Sequence, residues 1–252
     1  MAAGATRVVV ERVGDTAVAK ALISGDFLAP RLVSARGLHV RVALVGHSAT
    51  LLAGDDLRIE FDVAPGAFLE VLEPSGTVAY NARGGHASWT ATAAVGAGGA
   101  LVWRAAPFVV AGGADVTRRI DISLASDAVA MLDEMVVFGR TGEIGGALRS
   151  DQRITVDGTP LLVETLDLRS VPDRSRPGVL GGHRVIGTTM LLGMKTSDSA
   201  EGHVSPLAGP GMLARAIADQ AHEVSAVLDH ISSDWRERVA SRFTEAEVPT
   251  VT

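Results

Sequence analysis

Apolar and charged residues alternate strictly along Leu57-Arg58-Ile59-Glu60-Phe61-Asp62-Val63, which is the period of a strand with one buried face. Other runs rich in Val, Ile and Leu cover residues 6–10, 18–23, 39–45, 68–72, 101–104, 116–124 and 135–138. Gly, Pro and Asp separate them at spacings of about 8–12 residues, as expected for many short strands. Up to about residue 170 the pattern therefore predicts β-structure. Residues 153–156, Asp157-Gly158 and residues 161–164 predict a hairpin. Asp-Gly supplies the positive φ angles of a tight turn, and Pro160 places the second strand at a sheet edge.

A weak repeat organises these strands. Residues 63–69, 94–101 and 124–130 share one plan: a strand end, a small turn on Gly66, Gly98 or Asp127, and a new apolar strand. The turn positions lie 32 and 29 residues apart, a period that predicts a β-helix-like stack in which each layer buries its face on the next. Ordinary turns of a β-sandwich would leave the same signature. Residues 171–209 read as a Pro/Gly/Arg loop followed by strand. Leu213, Ile217, Ala221, Val224, Leu228, Ile231, Trp235 and Val239 then recur every three or four positions, with no Gly or Pro from Met212 until Pro249. This spacing predicts a C-terminal helix over 210–243, about 30 residues and ~45 Å long. The expected architecture is one domain over 1–252, mainly β with a long C-terminal α-helix.

Composition narrows the function classes. Apolar residues make up 47% and charged residues 21% of 252, which excludes a disordered chain and suffices for a core. A net charge of −6 without a long basic run argues against nucleic acid or an anionic membrane as partner. No apolar stretch reaches 18 residues, so no membrane-spanning helix is expected. Cysteine is absent, which removes disulfides, thiolate metal sites and cysteine nucleophiles. Residues 1–6 lack the pattern of a leader peptide, and a cytoplasmic location is expected.

Three motifs imitate catalytic signatures. Val45-Gly46-His47-Ser48 begins like a hydrolase nucleophile elbow. However, Thr50 stands where a second glycine belongs, and the turn Gly54-Asp55-Asp56 follows instead of a helix. Gly187 to Lys195 imitates a phosphate-binding loop, but five residues separate its glycines and Met194 intervenes before the lysine. Asp219, His222 and Glu223 share a face of the predicted helix, a spacing compatible with a weak metal site but better explained by a solvated polar face. Carboxylates at Asp55, Asp56, Asp133, Glu134, Glu143 and Glu164 remain, on or beside apolar β-segments. There a carboxylate is costly if buried without a partner.

Several of these stretches resemble, in order, the motifs of the urease accessory proteins called UreD or UreH. Leu52-Ala53-Gly54-Asp55-Asp56-Leu57 followed by Val63-Ala64-Pro65-Gly66-Ala67 is similar to the family's "GGD-x-L…V-x-P-G-A". Pro74 to Tyr80 resembles "P-x-A-T-K-x-Y", and Leu101-Val102-Trp103 followed by Gly112-Gly113-Ala114 resembles "L-E-W-L-P-Q…F-x-G-A". Asp133 to Glu143 resembles "W-D-x-x-x-x-G-R-x-x-x-G-E", and Pro160 to Glu164 resembles "P-L-L-x-E-R". The departures are Gly76 for alanine, no basic residue just before Tyr80, Leu132 for tryptophan, Arg104-Ala105-Ala106 after Trp103, a shortened spacing to Glu143, and Thr165 for arginine.

The resemblance implies a non-enzymatic scaffold. It would bind urease apoprotein together with UreF-like and UreG-like partners and help deliver nickel, with an internal polar and acidic route for the metal. No tightly bound cofactor is implied, only transient Ni²⁺. Asp55, Asp56, Asp133 and Glu164 fall on the shared motifs and are the implied metal-transfer residues. Leu213, Ile217, Val224, Leu228, Ile231 and Trp235, the apolar stripe, are the candidate partner-binding or packing surface. The competing readings are a generic β-solenoid or sandwich binding module and, further off, a serine hydrolase using Ser48.

Overall fold

Strands with one apolar face must bury it, and here the chain does so by winding. The computed structural model describes residues 4–196 and 203–244. The first half contains β1 (Thr6–Val13), β2 (Thr16–Ile23), β3 (Leu28–Arg36), β4 (His39–Gly46), β5 (Asp56–Val63), β6 (Phe68–Leu72), β7 (Thr77–Ala79), β8 (Ala87–Val95), β9 (Ala100–Arg104) and β10 (Phe108–Val110). It continues with β11 (Asp115–Leu124), β12 (Val129–Phe138), β13 (Ala147–Val156), β14 (Thr159–Asp167) and a single-turn α1 (Val171–Arg174). β15 (Val185–Leu192), β16 (Val204–Pro206), β17 (Gly211–Ala218) and α2 (Ala221–Thr244) complete the described order.

The strands form two sheets. The first runs β14-β13-β11-β8-β5-β1-β2 and the second β16-β17-β15-β12-β9-β6-β4-β3, with β7 and β10 attached beside β12. Three successive coils each pass from the first sheet to the second, as β5 to β6, β8 to β9 and β11 to β12, and neighbouring coils pair in parallel. The turns between them are those of the sequence repeat. Gly66, Gly98 and Asp127 all take a left-handed conformation, with φ of 68°, 62° and 57°. They stack through Gly66 N–H to Ala97 O and Gly98 N–H to Ser126 O, at 3.0 and 3.1 Å. Register agrees with the period, since Phe68 pairs with Ala100 and Ala100 with Val129. The protein is mainly β, with solenoid-like stacking and one long C-terminal helix. The predicted hairpin is β13–β14, and β14 is an edge strand.

Two apolar layers result. Between the sheets pack Val8, Leu57, Ile59, Phe61, Leu69, Val71, Leu101, Trp103, Ile120, Leu132 and their neighbours. The outer face of the second sheet, with Phe68, Val102, Val129, Met131 and Met212, is covered by Val224, Leu228, Ile231, Trp235 and Val239 of α2. The outer face of the first sheet is polar, alternating with the inward residues on β5, β8, β11 and β13.

The C-terminal helix begins later than its periodicity predicts. Residues 211–218 are strand β17, paired antiparallel with β15, and α2 spans 24 residues from Ala221. Leu213 and Ile217 thus belong to a strand and not to the helix. β15 is buried along its whole length, and its free edge needs a hydrogen-bonding partner. That tertiary demand overrides an i, i+4 spacing that fits either period. Among the described residues no helix is long and apolar enough to cross a membrane.

Candidate functional site

β12 has ten residues, whereas β6 and β9 beside it have five each. β6 ends at Leu72 just before Pro74, and β9 ends at Arg104 shortly before Pro107. Proline cannot donate to a ladder, and both breaks fall at the same level of the stack. They open a cleft of about 450 Å³ between the second sheet and α2, whose polar lining includes Glu73, Arg104, Asp133, Glu134, Asp229 and Ser232.

Alternation on β12 sends its two neighbouring acids to opposite sides. Asp133 lies on the α2 side, where its carboxylate accepts hydrogen bonds from Thr189 Oγ1 at 2.9 Å and Ser232 Oγ at 2.7 Å. Burial pushes its pKa upward against those hydrogen bonds and the nearby positive charge of Arg104 and Arg236. Glu134 lies on the side between the sheets. It forms an ion pair with Arg118 and accepts a hydrogen bond from Gln152 Nε2 at 2.5 Å. Arg118 stands over the rings of Trp89 and Phe108, 4.4 and 5.6 Å from their centroids. Glu73 accepts from Trp103 Nε1 at 2.8 Å and from the Ala106 amide at 3.2 Å. The residue is half-buried at the strand ends, and burial of its carboxylate pushes its pKa up to about 7. Glu73 and the half-buried Asp133 thus give the cleft carboxylate oxygens as possible donors.

The four carboxylates implied by the family motifs do not converge. Asp55 accepts from the Leu52 amide at 2.8 Å and closes an exposed turn. Asp56 lies on the outer face of the first sheet, bonded to Arg58 at 2.5 Å and Ser88 Oγ at 2.7 Å; the Arg58 bond chiefly holds its pKa below the usual range. Asp133 is on the far side of the two-sheet core, in the cleft. Glu164, on β14, is held by both terminal nitrogens of Arg215 at 2.9 and 2.7 Å, linking the first sheet to the second. Glu143, uncertain by spacing, accepts from Arg140 and from the Gly112 amide and fastens a loop. Glu73 and Arg118 were not signalled by motif. The period of about 30 would have found Glu73, because it carries the end of β6 onto the end of β9 beside Trp103.

The remaining candidates resolve as follows. Val224, Leu228, Ile231 and Trp235 are buried against the second sheet, Leu213 is half-buried, and Ile217 is exposed. The apolar stripe of α2 is therefore covered by the protein's own sheet. Ser48 Oγ donates to the Asp26 carbonyl and His47 Nε2 lies 3.1 Å from the Gly25 carbonyl, so the elbow-like segment is a loop tied to the β2–β3 connection. Gly187 lies inside β15, with no phosphate-binding loop around it. Asp219 precedes α2 and pairs with His183 at 3.0 Å, while Glu223 accepts from the Gln220 amide at the helix start; the three-residue face with His222 does not form. Among the described residues no group of three or more His, Asp or Glu side chains is arranged to hold a metal ion.

Residues 2–250 match the model of the UreD urease accessory protein family. Urease accessory protein UreD 1 of Streptomyces griseus subsp. griseus is 43% identical over 219 residues, covering 87% of this chain and 86% of the relative. The UreD proteins of Parafrankia sp. and Frankia alni are 35% and 37% identical, covering 81% and 71% of this chain and 78% and 69% of the relatives. The match extends over the coils, the cleft and the C-terminal helix alike, and the chain belongs to the UreD family of urease accessory proteins.

Proposed function

We propose that the protein is a non-enzymatic scaffold of urease maturation. It binds urease apoprotein together with UreF-like and UreG-like partners and passes nickel toward the urease active site. Family membership supports the role in urease maturation; the partners and the cargo are our reading. The observation that carries the reading is the cleft under α2. Asp133, which falls on a family-like motif, lines it together with Glu73 at one break in the stack, and Glu134 borders it from the other face of β12. Carboxylate and hydroxyl oxygens hold a divalent ion less tightly than thiolates do, which suits a step that must also release its cargo. Asp55, Asp56 and Glu164 fall on shared motifs too, but their carboxylates are occupied by a turn, by Arg58 and by Arg215.

The test is urease loading in cells expressing the urease operon at limiting nickel. We expect Glu73→Gln/Asp133→Asn to assemble with its partners yet lower the nickel content of purified urease about tenfold. The pair Asp56→Ala/Glu164→Ala should leave it near normal. Normal loading with the cleft pair would exclude the cleft as the route, and a loss confined to the second pair would move the route to those residues.

A further inference from the structure

α2 covers only part of the outer face of the second sheet. It lies over β12, β15 and β17 and reaches β9, and near its end Phe243 stacks on Phe68 of β6. β4 and the edge strand β3 extend beyond it. On β4, Val40, Val42 and Leu44 point into the core, so His39, Arg41, Ala43 and Val45 point outward. Antiparallel pairing sets Arg36, Ser34 and Arg31 of β3 opposite His39, Arg41 and Ala43, on the same outward face. Arg31 and Arg36 are exposed and Val45 is 38% exposed, so this face is open among the described residues. Its charge is not balanced locally. Glu70 of β6, only 3% exposed, accepts from Arg41 Nε at 2.9 Å and lies 3.1 Å from His39 Nε2. Arg31 reaches the Pro30 carbonyl at 3.3 Å, and among the described residues no carboxylate pairs with Arg31 or Arg36. Three arginines thus share one buried carboxylate, on a chain whose net charge is −6.

We propose that the outer face of β3 and β4 docks an acidic segment of another protein, whose carboxylates pair with Arg31 and Arg36 and whose apolar side chains lie on Ala43 and Val45. Arginine beside apolar surface is the composition of a protein interface, whereas the acidic chain as a whole repels a polyanion such as nucleic acid. Recognition falls to side chains and not to an added strand. β3 is the edge of the sheet, but a bulge between Leu32 and Ser34 interrupts main-chain pairing along it. Glu70 is a positioning residue here, because it fixes Arg41 opposite Ser34, between the other two arginines. The face also adjoins the cleft: Ala43 pairs with Leu72, which lines it, so an occupant of the face stands beside the cleft. The proposal does not depend on what the cleft carries.

The experiment is photo-cross-linking of the full-length chain carrying Ser34→p-benzoylphenylalanine, in cells that express the urease operon without added nickel. The cross-linked peptide is sequenced by mass spectrometry. We expect one predominant partner, joined through a peptide with more Asp and Glu than Lys and Arg. Arg31→Glu/Arg36→Glu should lower its yield about tenfold, and Arg31→Lys/Arg36→Lys should retain most of it. If the charge-reversed chain does not fold, Arg31→Gln/Arg36→Gln decides by the same reading. The proposal is overturned by absence of a cross-link, by a neutral or basic peptide, or by a yield indifferent to the charge. A cross-link to nucleic acid or to a second copy of this chain overturns it as well. Nickel loading is not read here, so failure of the cleft route leaves this result unchanged, and an overturned docking face leaves the cleft test standing.

Discussion

Glu70 and Glu73 lie three positions apart, yet their surroundings drive them in opposite directions. Burial acts to raise the Glu70 pKa, but hydrogen bonds from His39 and Arg41 and their charges outweigh it and hold it at about 2. Glu73 has only the neutral donors Trp103 and Ala106, so burial prevails and its pKa rises to about 7. A carboxyl whose pKa is raised on folding binds its proton more tightly in the native state between the two values. Its contribution is complete below about 4.5, declines as pH rises, and is lost by about 7. The difference amounts to about 3 kcal/mol. We expect urea unfolding of the wild type to show a decline between pH 5 and 7.5 that Glu73→Gln largely removes. Equal pH slopes for the two proteins would mean that Glu73 is ionised throughout.

At the scale of elements, α2 and β17 divide one apolar periodicity between a helix and a strand. The start of α2 is marked by Glu223, whose carboxylate accepts the Gln220 amide as in a capping box. Its stripe is then buried, with Leu228 only 6% exposed, whereas Ile217 on β17 is 37% exposed. Leu228→Ala should cost about 2–5 kcal/mol in chemical denaturation, because a cavity remains between helix and sheet. Ile217→Ser should stay within about 0.5 kcal/mol. Comparable costs for the two would contradict the strand assignment of β17 and restore a single longer helix. The helix was legible in the sequence; its first turns were not, because residues 211–218 respond to the open edge of β15.

For the whole molecule the decisive feature is the stack. Its third turn places a non-glycine residue, Asp127, at φ 57°, a conformation that costs an ordinary L-residue roughly 1 kcal/mol or more. Asp127→Gly should therefore unfold within about 0.5 kcal/mol of the wild type. Asp127→Val should lose about 1–2 kcal/mol, since a β-branched residue tolerates this region least. Equal stability of both would show that the turn can be rebuilt without its left-handed residue. The stack also determines the cleft. Breaks at Pro74 and Pro107 are far apart in the chain but one coil apart in space, and their superposition is what leaves room beneath α2.

The sequence by itself determined the mainly β class, the coil period, the hairpin at Asp157-Gly158, the presence of a C-terminal helix and the family. These follow from local alternation, turn chemistry and ordered motifs, all of which act over a few residues. Only the tertiary structure decided which carboxylates meet. It separated Asp55, Asp56 and Glu164 from Asp133, and it set Asp133 and Glu73, 60 positions apart, in the lining of one cleft. It also paired Arg118 with Glu134. The physical reason is the pleat combined with the stack: adjacent residues face opposite layers, while residues about 30 apart share one, so proximity along the chain says little about proximity in the site.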